Sequence, residues 1–126
     1  MEQNLIARLT ESIAEKGKKR AEKKNFEVNG IPMEFHKPSQ AKQREYYGLM
    51  SEAMASENAE MLIEFCTSLI YECCLSLQDP ELHRANDVSD PLDIVRMLLD
   101  VREIDLLGGK LIDWMGLLKG EETEKN

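Results

Sequence analysis

Three cysteines and two histidines are the residues of this chain best equipped for chemistry. Cys66 and Cys73 stand two helical turns apart, with Cys74 adjacent, and His83 and His36 are the imidazoles that could join them. A structural zinc site uses thiolates paired at C-x-x-C spacing, which these residues lack. A Cys/His nucleophile needs an activated thiolate and a third orienting group. Cys74 and His83 are near enough in sequence to pair, but nothing else in the chain supports that chemistry. Cys66 and Cys73 instead lie inside an apolar stripe, where cysteine behaves as a small hydrophobe. They read as core.

Other reactive patterns are equally thin. With 24 Asp and Glu in 126 residues, neighbouring acids such as Glu121-Glu122 arise by chance. Gly108-Gly109 has neither the Walker nor the dinucleotide-binding spacing. No catalytic, cofactor or metal residue is expected, and the chain reads as a non-enzyme. Two clusters point to binding. Lys16, Lys18, Lys19, Arg20, Lys23 and Lys24 form a basic run that could touch phosphates, although no aromatic residue is interleaved. Charge patterning favours a solvated helix or linker, which could also dock an acidic protein. Tyr46, Tyr47, Met50 and Met54 form the second cluster. Tyr and Met are enriched at interfaces, and Met suits adaptable ones. Their helical spacing serves a core or a partner face equally.

The elements that position these residues are mostly helical. Leu5, Ile6, Leu9 and Ile13 recur at helical spacing, so residues 1–25 read as an amphipathic and basic segment. It is expected to fray into a partly mobile linker. Phe26 and Val28, then Ile31, Met33 and Phe35, alternate around Asn29-Gly30. That is a strong hairpin signal, and Pro32 places its strand at an edge. Pro38-Ser39 opens a helix to about Ala55, with Ser39 as cap. Ser56 is expected to cap a central helix from Glu57 to Leu77, buried on several sides through Leu62, Phe65, Leu69, Ile70 and Cys73. Asp79-Pro80 and Asp90-Pro91 each restart the chain as cap and first helical residue. Asp100 and Glu103 resemble a capping box before a last helix through Leu107, Leu111, Met115 and Leu118. Gly108-Gly109 predicts a kink or a close helix contact there, and Gly116 or Gly120 its end. The expected fold is mainly α: a small helical domain with a short N-terminal β-hairpin packed on a central buried helix. The domain spans residues 26–118, and a polar tail covers 119–126.

Charge divides the chain. Residues 1–44 carry +4 and the remainder −12, for a net −8. An acidic body repels nucleic acid and anionic membranes. The N-terminus lacks a signal-peptide pattern, and no apolar run approaches the roughly 18 residues that span a bilayer. An odd cysteine count without such a signal predicts reduced thiols, hence a cytoplasmic protein with no membrane partner.

The order of helix starts carries a resemblance. Leu69-Ile70-Tyr71-Glu72-Cys73 leads into Asp79-Pro80-Glu81-Leu82. Asp90-Pro91-Leu92-Asp93-Ile94-Val95 and Leu98-Leu99 follow, then Glu103-Ile104, Leu107, Ile112 and Met115-Gly116. Upstream stands Phe35-His36-Lys37-Pro38-Ser39. Across roughly residues 26 to 118 the chain resembles the bacteriophage tail assembly chaperones of the XkdN-like group, found in tailed phages and defective prophages of Gram-positive bacteria. The resemblance implies a protein of the host bacterial cytoplasm that coats the tape measure protein and recruits the major tail tube protein. It would be absent from the mature virion, and its family contributes no catalytic residues. Self-association is a further partner class. On this reading Tyr46, Tyr47, Met50 and Met54 contribute to the partner face. The competing expectation is a small DNA-associated or regulatory protein using the basic N-terminal segment.

Overall fold

The most apolar stretch of the chain forms the helix on which the others rest. A computed structural model describes residues 2–117. In it, α3 (Ala59–Cys73) buries Phe65, Cys66, Thr67, Leu69, Ile70 and Cys73. Thr67 is tolerated at that depth because its hydroxyl donates to the Ile63 carbonyl at 2.8 Å. Asn58 caps α3, its side chain accepting from the Met61 amide at 3.0 Å. Ser56, expected as that cap, instead closes the preceding helix, α2 (Gln40–Ala55), and its Oγ donates to the Glu52 carbonyl at 2.8 Å. Glu57 between them takes a φ of 52°, so the chain reverses before α3 can begin.

The central helix is also shorter than its apolar pattern. Cys74 leaves helical geometry, and Leu75–Gln78 continue as a 3-10 turn. Gln78 Nε2 donates to the carbonyls of Tyr71 at 2.8 Å and Glu72 at 3.2 Å, satisfying acceptors that the interrupted helix exposes. Both Cys74 and Leu77 stay buried, so the break re-aims the chain without losing core.

Ahead of this body lie α1 (Glu2–Arg20), β1 (Lys23–Val28) and β2 (Ile31–His36). The helix persists through the basic run to Arg20, where a fraying linker was expected. The strands pair antiparallel, with Val28 opposite Ile31 and Phe26 opposite Met33. Asn29 and Gly30 have φ of 53° and 78°, the positive values a two-residue primed turn demands. Asn29 Nδ2 also donates to the Leu98 carbonyl at 2.8 Å, which ties the turn to the body. Pro32 faces Glu27, one position from the turn-flanking pair, so its missing N–H lies off the ladder. Val28 and Phe35 enter the core, and Phe26 stands edge-on to Phe35 at 5.4 Å and to Trp114 at 5.7 Å. The result is a mainly α domain with a two-stranded hairpin, as the patterning predicts, and the hairpin joins the common core beside the 3-10 turn and Trp114.

The remaining helices are α4 (Pro80–Ala85), α5 (Asp93–Leu98) and α6 (Val101–Met115). Asp79 caps α4, accepting from the Glu81 amide at 2.9 Å. Asp90 accepts from the Leu92 amide at 3.1 Å, so Asp90-Pro91 forms a turn one residue ahead of α5. Arg96 then binds Asp93 at 2.7 Å and Glu64 at 3.0 Å, bracing α5 against α3. Glu103 reaches back to the Asp100 amide at 2.8 Å, the acidic half of the expected capping box. Gly116, with a φ of 78°, ends α6. Leu118, Gly120 and the tail at 119–126 lie outside the described residues.

The glycine pair resolves into two roles. α6 packs along α3, and a methyl group at Gly108 would stand 2.6 Å from Cys66 Cβ and closer still to its Sγ. At Gly109 there is open space. Gly108→Ala should therefore destabilise the protein by roughly 1–3 kcal/mol through overpacking, despite alanine's better helix propensity. Gly109→Ala should stabilise it by about 0.5–1 kcal/mol. Urea denaturation of the two variants checks both signs.

Candidate binding surfaces

The Tyr and Met cluster on α2 divides between the inside and the outside of the molecule. Tyr46 and Met50 are 5% and 2% exposed, whereas Tyr47 and Met54 are 55% and 48% exposed. Four residues separate Tyr46 from Met50, so they share the face that meets α3. Tyr46 stands edge-on to Phe65 at 5.6 Å. Burial, then the charge of Glu72, pushes its hydroxyl pKa well above 10.0. Tyr47 and Met54, seven residues apart, lie on a solvated flank of the same helix. Leu49, on the other flank, is also exposed.

Leu49 borders a groove of about 450 Å³ between α2 and α3. Tyr46, Met61, Phe65, Tyr71 and Leu92 supply further apolar walls, and Glu45, Glu64 and Glu72 contribute carboxylates. Glu45 is paired with Lys42 at 3.1 Å, and Glu64 with Arg96 at 3.0 Å. Glu72 is half-buried and has no ion-pair partner among the described residues. The groove is thus apolar along its floor and negative at its rim. It suits an apolar segment that carries a cation. Met61 and Glu72, eleven residues apart, set its length along α3 at about 16 Å.

A second depression, of about 760 Å³, lies between β2 and the α4–α5 region. Ile31, Met33, Leu77, Leu82, Met97 and Leu98 line it. The sequence pattern did not point to it, because its walls come from segments more than 40 residues apart. Ile31 and Met97 are its most exposed apolar walls.

The basic run gathers on a third face. Lys16, Lys19 and Arg20 line a polar cleft of about 390 Å³ with Lys37, Gln40 and Trp114. Lys37 Nζ donates to the Lys19 carbonyl at 3.0 Å, pairs with Glu22 at 3.5 Å and sits 5.2 Å from the Trp114 ring centre. Lys24 lies over Phe26 at 5.3 Å, and Lys23 is 4.0 Å from Glu34.

The residues that could have done chemistry are otherwise engaged. Cys66, Cys73 and Cys74 are free and buried. His83 Nε2 is 2.7 Å from the Leu77 carbonyl, where it braces the 3-10 turn, and its ring tilts against Tyr71. His36 Nδ1 is 3.2 Å from the Lys37 carbonyl, and its buried Nε2 has no hydrogen-bond partner among the described residues. Among the described residues no group of three or more His, Cys, Asp or Glu could hold a metal ion. None of the described helices is long and apolar enough to cross a membrane. No protein-family model, curated protein or solved structure matches the chain.

Burial lifts the Cys66 thiol from 9.0 to about 11, with Asp105 adding to it. It lifts Cys73 to about 12, with Glu72 and Cys74 adding. Both folded values exceed the unfolded one. The stability these thiols contribute is therefore whole below about pH 9 and is lost as pH rises toward 11 and 12. Native protein at pH 8 should resist a thiol reagent that labels all three cysteines in urea, and the urea midpoint should fall above pH 9. The division of α2 makes a second expectation. Met50→Ala should cost about 2–5 kcal/mol, while Tyr47→Ala and Met54→Ala should each stay within about 0.5 kcal/mol. Denaturation midpoints of the three variants separate core from surface.

Proposed function

We propose that this chain is a phage tail assembly chaperone, holding amphipathic segments of the tape measure protein during tail morphogenesis and recruiting tail tube subunits. The α2–α3 groove carries the reading. A holdase must capture apolar helices without catalysing anything, and must release them when the tube polymerises. A shallow apolar groove walled by Leu49 and Met61 offers adaptable contact. Glu72 at its end, without an ion-pair partner among the described residues, selects helices that bring a cation. The acidic remainder, at −12, keeps such a complex dispersed. The resemblance to the XkdN-like chaperones supplies the client and the setting. Its motifs fall on helix caps and turns, such as Asp79 and Asp90, and on core positions, such as Leu69 and Ile70.

The basic face favours a second reading, a DNA-associated regulator bound through Lys16, Lys19 and Arg20. Such binding would weaken steeply with salt, and the acidic body opposes it.

Co-expression with the tape measure protein encoded in the same genome tests the first reading. The expected outcome is a soluble complex where the tape measure alone is insoluble. Leu49→Glu and Glu72→Lys alter exposed or half-buried groove residues. Each should weaken the complex about tenfold or more without shifting the urea midpoint. A folded protein that neither binds nor solubilises the tape measure, yet binds DNA in low salt, would reverse the ranking.

A further inference from the structure

Among the described residues nothing packs along α1 beyond its last turn, which borders the cleft with Lys37 and Trp114. Its 19 residues extend about 28 Å. Every residue from Gln3 to Arg20 is exposed. Lys37 holds only its base, through the Lys19 carbonyl and the Glu22 carboxylate. Leu5, Ile6, Leu9 and Ile13 are 53–69% exposed, and they fall within about 100° of the helix circumference. A single helix of this length is close to the limit at which helices survive alone in water. A continuous apolar stripe on such a helix calls for a cover.

We infer that the cover is α1 of a second copy, packed antiparallel about a two-fold axis at Leu9. Two observations select this occupant. The first is spacing. Leu5, Leu9 and Ile13 recur every four residues, so the stripe reads alike in both directions. Reversal sets Leu5 of each copy against Ile13 of the other and Leu9 against Leu9. The second is charge. Lys16, Lys18, Lys19, Arg20, Lys23 and Lys24 crowd one end, interrupted only by Glu22. A parallel pair would bring two such clusters to the 8–10 Å separation of packed helices, about the screening length at physiological salt. The antiparallel pair holds them roughly 27 Å apart, where screening removes the repulsion. In this register residues 3–7 of each copy lie opposite residues 15–11 of the other, and the two basic runs lie at opposite outer ends of the pair. The contact is isologous and closes at two copies. It involves neither groove nor client, so it stands apart from the function proposed above.

Eight apolar side chains make a contact at the small end of specific interfaces, so the dissociation constant should be on the order of 10 µM. Sedimentation velocity of the full chain, from about 1 to 300 µM, should show monomer passing to dimer and nothing larger. Leu9→Asp should raise the dissociation constant more than tenfold. Because α1 adds nothing to the core, the urea midpoint of the body should not change. Cysteine cross-linking reads the direction, and the native thiols stay silent because Cys66, Cys73 and Cys74 are buried. Leu9→Cys alone should cross-link. Leu5→Cys alone should not, whereas a mixture of Leu5→Cys and Ile13→Cys chains should. A chain that stays monomeric throughout, larger assemblies, or Leu5→Cys cross-linking to itself as readily as Leu9→Cys would overturn the inference.

Discussion

The close approach of α3 and α6 at Cys66 and Gly108 is the constraint on which the rest of the structure depends. Two helices touch this closely only where one side chain is absent and the facing one is small. Gly108 supplies the absence and Cys66 the small partner. The approach lets Ile104, Leu107, Leu111 and Ile112 of α6 lie within the common core. It also turns α6 so that Trp114 meets the hairpin through Phe26. A wider separation would leave a void beside Leu69 and Ile70, which are wholly buried. With one side of α3 closed by α6, the other is available to α2. The groove between α2 and α3 is the place where that second packing remains incomplete.

Legibility in the sequence followed how local each interaction is. Asp79-Pro80, Asp100 with Glu103, and Asn29-Gly30 act over four residues or fewer, and each was readable from residue type. The helix limits around Ser56 and Leu77 were not. Asn58 competed with Ser56 for the cap, and only the reversal at Glu57 decides between them. The break at Cys74 depends on Gln78 turning back to two carbonyls, which leaves no trace in apolar spacing. The glycine pair was ambiguous for the same reason. Kink and close contact look alike until the facing residue is known, and Cys66 lies more than 40 positions away.

The candidate surfaces were readable only in part. Tyr46, Tyr47, Met50 and Met54 drew attention by type, but type cannot say which face of α2 meets α3. The structure divides them by the angle each subtends at the helix axis. The groove itself joins Leu49 to Met61, Glu72 and Leu92, residues brought together by a turn and a long return of the chain. Its carboxylates could not be distinguished from the other acids in the sequence. What singles out Glu72 is that Lys42 and Arg96 are already committed to Glu45 and Glu64.

Separating the cations from the acidic body has a physical consequence for assembly. Were the six basic residues dispersed over α2 and α3, they would neutralise the groove rim and lower solubility together. Concentrated at the base of α1, they leave the rim negative and give the helix one basic end, distant from the uncharged stretch Gln3 to Ala7. Such a helix has a preferred direction for any neighbour, because salt screens charges held a helix length apart but not charges held side by side. The apolar stripe sets how strongly a neighbour is held, and the charge gradient sets which way round. The α1 stripe and the α2–α3 groove are both small surfaces. Small contacts exchange quickly, since affinity differences between related interfaces reside mainly in the dissociation rate. A chaperone of the kind proposed, which holds apolar segments and then surrenders them, depends on that exchange more than on tight binding.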